Sequence, residues 1–156
     1  ILANNIGYVD MGRLRRAEIA GMFADLKNTI GIIFDLRNYP DFILYDLVAY
    51  LTVPVPFVRF TSVLPIYPGV FQGAISNGTI SPLSPAINIG RSKDYFGKTV
   101  VLINQETQSR AEFTAMAFRA AGAKIIGSQT AGADGDVVTV RLPGDILVYY
   151  TSLGVF

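Results

Sequence analysis

Two kinds of block alternate along the chain: short unbroken apolar runs, and longer segments in which apolar residues recur every three or four positions. Ile6-Gly-Tyr-Val9 is a short β-prone run. In the segment from Arg15 to Asn28, Ile19, Met22, Phe23 and Leu26 stand at i, i+3, i+4 and i+7, the spacing of one helix face. Ile30 to Arg37 then reads as a buried strand ending in charge. This strand–helix–strand order predicts a βαβ unit and a parallel sheet. Leu44 to Leu51 reads as a second helix, stopped by Pro54 and Pro56, whose rings lack the N–H a helix needs.

The middle of the chain carries the weakest pattern. Phe57 to Val63 is strand-like, and Val70-Phe-Gln72 reads as another short strand. From Gly73 to Gly90 the chain is rich in Gly, Ser, Asn and Pro without a sustained period. That predicts an irregular surface excursion of the kind that covers clefts.

The clearest pattern follows. Val100 to Ile103 is an apolar run read as a buried strand, Asn104 to Gln108 is a polar turn, and an alanine-rich helix is predicted from Arg110 to Ala121, ending at Gly122. Ser109 stands at the joint between turn and helix. A helix start concentrates unpaired N–H groups and partial positive charge, so a serine oxygen there can act as a nucleophile with oxyanion donors in place. The same residues, Ser109-Arg-Ala-Glu112, also fit the S-x-x-E capping box. The roles can be divided, with Glu112 serving the helix start and Ser109 facing a substrate. Ala123 to Ile126 is a further strand, 127–135 a glycine-rich turn region, and Val137 to Leu142 with Ile146 to Tyr150 a hairpin around Pro143-Gly144-Asp145. The fold class is α/β, with a mixed sheet built from βαβ units.

Composition narrows the chemistry. A length of 156 residues is that of one domain, and 51% hydrophobic residues give it a sizeable core or a covered face, since no run approaches a membrane span. A net charge of +1 makes no electrostatic case for nucleic acid. With neither histidine nor cysteine, the chain holds no Ser-His pair and no thiolate nucleophile. Asp35 and Asp41 are the carboxylates placed to hold a metal, but without histidine or cysteine ligands Asp35 reads as orienting its turn through Arg37. The turn Gly127-Ser-Gln-Thr-Ala-Gly132 lacks the lysine of a phosphate loop, and no cofactor is called for. Three loops, Asp35 to Phe42, Asn104 to Ser109 and Gly127 to Gly135, stand at the C-terminal ends of predicted parallel strands, where open α/β sheets bind ligands.

Four of these segments together resemble the S41 serine peptidases, the tail-specific or C-terminal processing proteases. Gly7-Tyr-Val resembles the family's entry strand, and Ile32-Ile-Phe-Asp35-Leu-Arg37-Asn38 its strand ending in D-x-R-x-N. Val101-Leu-Ile-Asn104-Gln-Glu-Thr-Gln-Ser109-Arg-Ala-Glu112 resembles the nucleophile segment, and Ile126-Gly127-Ser-Gln-Thr130-Ala-Gly132 the G-x-x-T-x-G turn after it. The likeness is nearest to secreted or envelope members from Bacteroidetes-type bacteria. It implies a ClpP/crotonase-like fold and a serine endopeptidase acting on peptides or proteins through an acyl-enzyme, in the periplasm, at the outer envelope or outside the cell. It implies Ser109 as nucleophile and the Arg110 backbone N–H as one oxyanion donor. The second donor falls to the amide of Asp41 or Phe42, because Pro40 has none.

The chain departs from the family pattern in two places. Asp41 and Phe42 stand where paired glycines are usual, and Ala133, followed by Asp134, stands where the family's dyad lysine follows the turn. Lys124 lies before that turn, on a strand. Other branches use an upstream histidine and a distant glutamate. These departures, with Ile1 not a start methionine and the end at Phe156 in mid-pattern, read as one S41-like catalytic-core domain cut at both ends and lacking its general base. The rival expectation is a non-catalytic ligand-binding or degenerate peptidase-like domain. A crotonase-type thioester site ranks behind both.

Overall fold

The computed structural model describes residues 1–63, 71–72, 74–76, 79–81, 86–135, 137–151 and 153–156. In chain order its regular elements begin with β1 (Ile6–Asp10), α1 (Ile19–Leu26), β2 (Gly31–Asp35) and α2 (Leu44–Leu51). The middle segment holds β3 (Val55–Val58), β4 (Phe60–Val63), β5 (Phe71–Gln72), β6 (Ala74–Ser76), β7 (Thr79–Ser81) and β8 (Ile87–Ile89). Then come β9 (Lys98–Ile103), α3 (Arg110–Ala120), β10 (Lys124–Gly127), β11 (Val137–Leu142), β12 (Ile146–Thr151) and β13 (Leu153–Val155).

The central sheet has the order β1-β2-β9-β10, and every neighbouring pair is parallel. Register places Val9 beside Phe34, Phe34 beside Val101, and Val101 beside Ile125, so these side chains share one face. They join α1 (Phe23, Leu26), α2 (Leu47, Leu51) and α3 (Phe118) in one core cluster. The Phe34 and Phe118 rings, both fully buried, lie 4.6 Å apart between centroids. Gly7 allows α1 to come this close: a Cβ there would meet Leu26 at 3.0 Å. Because strand order follows chain order, right-handed crossovers put the connecting helices on the same side.

The four helix and strand expectations around β1, α1, β2 and α2 are met within a residue or two at most ends, and α2 has the predicted bounds. The helix before β2 opens as a 3-10 turn at Arg16–Glu18 before α1 proper. α3 ends as expected, with Gly122 at φ 92. The middle segment corrects two expectations. Phe57 to Val63 is not one strand: it divides into β3 and β4, and β3 runs antiparallel to β8 across a bulge that takes in Phe57. Pro56 sits inside β3, opposite Asn88. Nor is 73–90 wholly irregular, since β6 and β7 form an antiparallel pair and β8 is a strand. Val70, Gly73 and the remainder of that segment lie outside the described residues.

A second cluster, with Leu44 and Val48 of α2, Ile89 of β8 and Ala117 of α3, seats the β3–β8 pair on the helices. β4 pairs antiparallel with β5 and with β13. β11 and β12 form the expected hairpin, whose ribbon exposes Ile146, Leu147 and Tyr149. No helix among the described residues is long and apolar enough to cross a membrane.

Candidate functional site

β2, β9 and β10 point the same way, so the loops after Asp35, Ile103 and Gly127 gather at one edge of the sheet. Each loop is held by a polar side chain with little exposure.

Asp35 holds the first. Its carboxylate accepts from Arg37 Nε (2.9 Å), Arg37 Nη2 (2.6 Å), the Arg37 amide (3.1 Å) and the Tyr8 hydroxyl (2.6 Å). The Arg37 hydrogen bonds lower its pKa to about 2 against the opposing effect of burial. The hydrogen bond to Asp35 raises the Tyr8 hydroxyl. The turn-orienting role expected of Asp35 is therefore formed. Further along, the Asp41 carboxylate accepts its neighbour's amide, Phe42 N–H, at 2.9 Å. The Asp41 N–H donates to no described residue. Of the two candidate amides, only that of Asp41 is open.

Thr107 holds the second loop and was missed by sequence reasoning. It is fully buried, and its hydroxyl accepts from the Asn104 amide (3.0 Å) and donates to the Leu36 carbonyl (3.1 Å). Its own carbonyl accepts from the Ala131 amide at 3.0 Å.

Glu112 holds the third. Only 8% exposed, it accepts from Thr130 Oγ1 (2.6 Å) and the Gly132 amide (2.7 Å) on one oxygen. Its other oxygen takes the Ala133 and Ser109 amides, each at 2.9 Å. Burial pushes this carboxyl up, but the bonds from Thr130, Ala133, Gly132 and Ser109 together outweigh it, and the net shift is downward.

Ser109 and Glu112 face each other as a capping box: the glutamate accepts the Ser109 amide at 2.9 Å, while the Ser109 side chain faces the N3 amide without making a cap hydrogen bond of ordinary geometry. Ser109 is half-buried with φ 50 and ψ −119, a left-handed φ that side chains rarely adopt. The Arg110 N–H, first in α3, donates to no described residue.

Ser109 and Arg110 open onto a cleft of about 490 Å³ walled by Tyr39, Phe42, Phe60 and Phe113. The Arg110 guanidinium lies over the Tyr39 ring (5.5 Å) and the Phe42 ring (5.7 Å), which brings the first and second loops together. Asp134 lines this cleft and a second one of about 510 Å³ that runs past Glu112 to Met116 and Ile125. Burial raises the Asp134 carboxyl despite a bond from the Gly135 amide, and its Oδ2 has no partner among the described residues. Lys124 is elsewhere: it starts β10, at the far end of the strand from Gly127, and does not line the cleft.

The sequence description of peptidase family S41 matches residues 71–156, more than half of the chain. The chain belongs to peptidase family S41. Among solved structures it resembles a candidate peptidase from Parabacteroides merdae, with 20% identity and a TM-score of 0.74 over 99% of this chain and 50% of that one. It also resembles mature CPAF complexed with lactacystin, at 18% identity and TM-score 0.67 over 95% of this chain and 43% of that one. The photosystem II D1 C-terminal processing protease gives 17% identity and TM-score 0.63 over 97% of this chain and 37% of that one. The fold is thus the ClpP/crotonase-like fold of S41 peptidases. The chain spans about half the length of these structures or less. No curated protein matches it significantly in sequence.

Proposed function

We propose that this chain carries the nucleophile and the oxyanion site of a serine endopeptidase. The observation that carries this reading is Ser109 itself. A non-glycine residue at φ 50 is held at a helix start, its hydroxyl making no cap hydrogen bond of ordinary geometry, at the mouth of a cleft. Strain of this kind persists only where the surroundings enforce it, and Glu112 supplies the enforcement through the Ser109 amide.

In this reading Ser109 Oγ forms a bond to the carbonyl carbon of a peptide while its proton passes to a base. The carbonyl oxygen becomes an oxyanion that accepts from the Arg110 and Asp41 amides. Collapse breaks the C–N bond, the amine leaves with the proton, and water hydrolyses the acyl-enzyme. The described lining of the cleft has neither lysine nor histidine, which supports a base contributed from outside these 156 residues. The chain alone is then inactive.

The test is labelling of the intact protein with a fluorophosphonate, beside a Ser109→Ala variant of unchanged circular dichroism. Labelling that vanishes in the variant is the expected result. A folded intact protein that stays unlabelled overturns the assignment. That outcome belongs to the second reading, a non-catalytic binding domain, which the same missing base favours.

A further inference from the structure

We infer that Thr107 is the positioning residue that sets the gap between the two oxyanion amides. The inference rests on the reading of Ser109 as nucleophile and adds what keeps its two donors in register.

The geometry is a matter of where the sheet stops holding. The outermost β2–β9 rung is the Leu36 amide on the Leu102 carbonyl, at 2.9 Å. Beyond it the chains part, one toward Asp41 and the other toward Arg110. Past that rung, the Thr107 hydroxyl is the buried hydrogen-bonded tie between the two: it donates to the Leu36 carbonyl and accepts from the Asn104 amide. The other links run through one long, part-exposed side chain: Arg110 Nη1 reaches the Pro40 carbonyl at the 3.5 Å limit, and its guanidinium lies over the Tyr39 and Phe42 rings. Through its carbonyl Thr107 also receives Ala131, so one buried residue joins all three loops. An oxyanion site tolerates little slack, because its donors must lie 2.7–3.1 Å from the oxygen they stabilise.

The variant that isolates the hydroxyl is Thr107→Val, which keeps the shape and removes the bonds. Thr107→Ser restores them. The assay is the rate of fluorophosphonate reaction with the intact protein, taken to saturation and normalised to folded protein. In that reaction Ser109 Oγ bonds to phosphorus, fluoride leaves, and the serine proton passes to the base. The P=O oxygen takes the oxyanion position.

Misplacement of this kind lowers rates by roughly ten- to a hundred-fold. The expected result is therefore a saturating rate at least about ten-fold lower in Thr107→Val. Half-saturation should be unchanged, and Thr107→Ser should return the rate to near wild type. A merely structural role would lower the melting temperature and leave the rate of folded molecules alone. Wild-type rate in Thr107→Val, or no rescue by serine, overturns the inference.

Amide hydrogen exchange decides the positioning separately should the wild type itself fail to label, the result that refutes the nucleophile reading. Thr107→Val must speed exchange together at Leu36–Phe42, at Asn104–Arg110 and at Ala131. Unchanged protection in any of the three overturns the inference.

Discussion

Glu112→Gln is the sharpest test of how the site is held. The glutamate accepts four hydrogen bonds, three from backbone amides and one from Thr130. Glutamine keeps the shape but offers only one acceptor oxygen, so its NH₂ group must face donors on the other side. If that side is Ser109 and Ala133, two amides lose their acceptor. If it is Thr130 and Gly132, the threonine hydroxyl can turn away and one amide is stranded. An orphaned buried donor costs roughly 1–3 kcal/mol, and the remaining bonds lose their charge, so the substitution should cost about 2–4 kcal/mol. For a chain of this length that is a fall in Tm of at least about 4 °C, read by thermal denaturation at pH 7. The pH dependence supplies a second handle. A carboxyl whose folded pKa is lowered binds fewer protons folded than unfolded, so its contribution is complete above the ordinary value of 4.5 and is lost as pH falls through the lower folded value. The difference between wild type and Glu112→Gln must therefore narrow below about pH 4.5. Equal melting temperatures at pH 7, or a gap that persists undiminished in acid, would refute the reasoning.

Other outcomes follow from the same geometry. Ser109→Gly removes the side chain that makes φ 50 costly, worth about 1–3 kcal/mol. It should raise Tm by a few degrees while abolishing fluorophosphonate labelling, and a lower Tm would show that Ser109 is not strained. Arg37→Met takes away the guanidinium that holds Asp35 at about 2, so carboxyl NMR should show Asp35 titrating at higher pH. Because that pKa is depressed, the Asp35 contribution is complete above the ordinary 3.8 and is lost as pH falls through about 2. Acid unfolding of Arg37→Met should accordingly begin at higher pH than in wild type.

The elements that a local pattern can specify were legible in the sequence. α1 and α2 each show a helix face, and α3 begins at a serine and ends at Gly122. β2 and β9 are apolar runs buried between neighbours, which is where unbroken hydrophobicity belongs. The segment around β6, β7 and β8 was not legible, because strands of three residues are too short to show a period of two. Pro56 was read as a stop to the helix before it, and the structure places it inside β3, beside the bulge where a proline is tolerated. At the site, Ser109 and Glu112 stood out by their spacing of three. Thr107 did not, because its decisive partner Leu36 is 71 positions away and a threonine in a polar turn has no local mark of burial. The choice between Asp41 and Phe42 needed coordinates for a different reason. An aspartate can turn its carboxylate on the next amide or leave it free, and only the structure shows that the Phe42 amide is taken.

The start of α3 bears on what sequence spacing left open between a capping box and the reactive serine proposed above. In a full box the serine oxygen is spent on the N3 amide and the glutamate on the serine amide. Here the glutamate half is formed, and the same carboxylate reaches across to Thr130, Gly132 and Ala133. Those three bonds do nothing for the helix itself. They fix the helix start to the loop after β10, and they anchor the Ser109 amide in a conformation that costs free energy. A cap whose purpose was helix stability would favour an extended Ser109 with its hydroxyl bonded to N3, which is the lower-energy arrangement. The observed one keeps the serine side chain facing N3 without a cap hydrogen bond of ordinary geometry, and it leaves the Arg110 amide without a partner among the described residues beside the cleft. Glu112 carries the cap hydrogen bond, which is the arrangement that the proposed role of Ser109 requires.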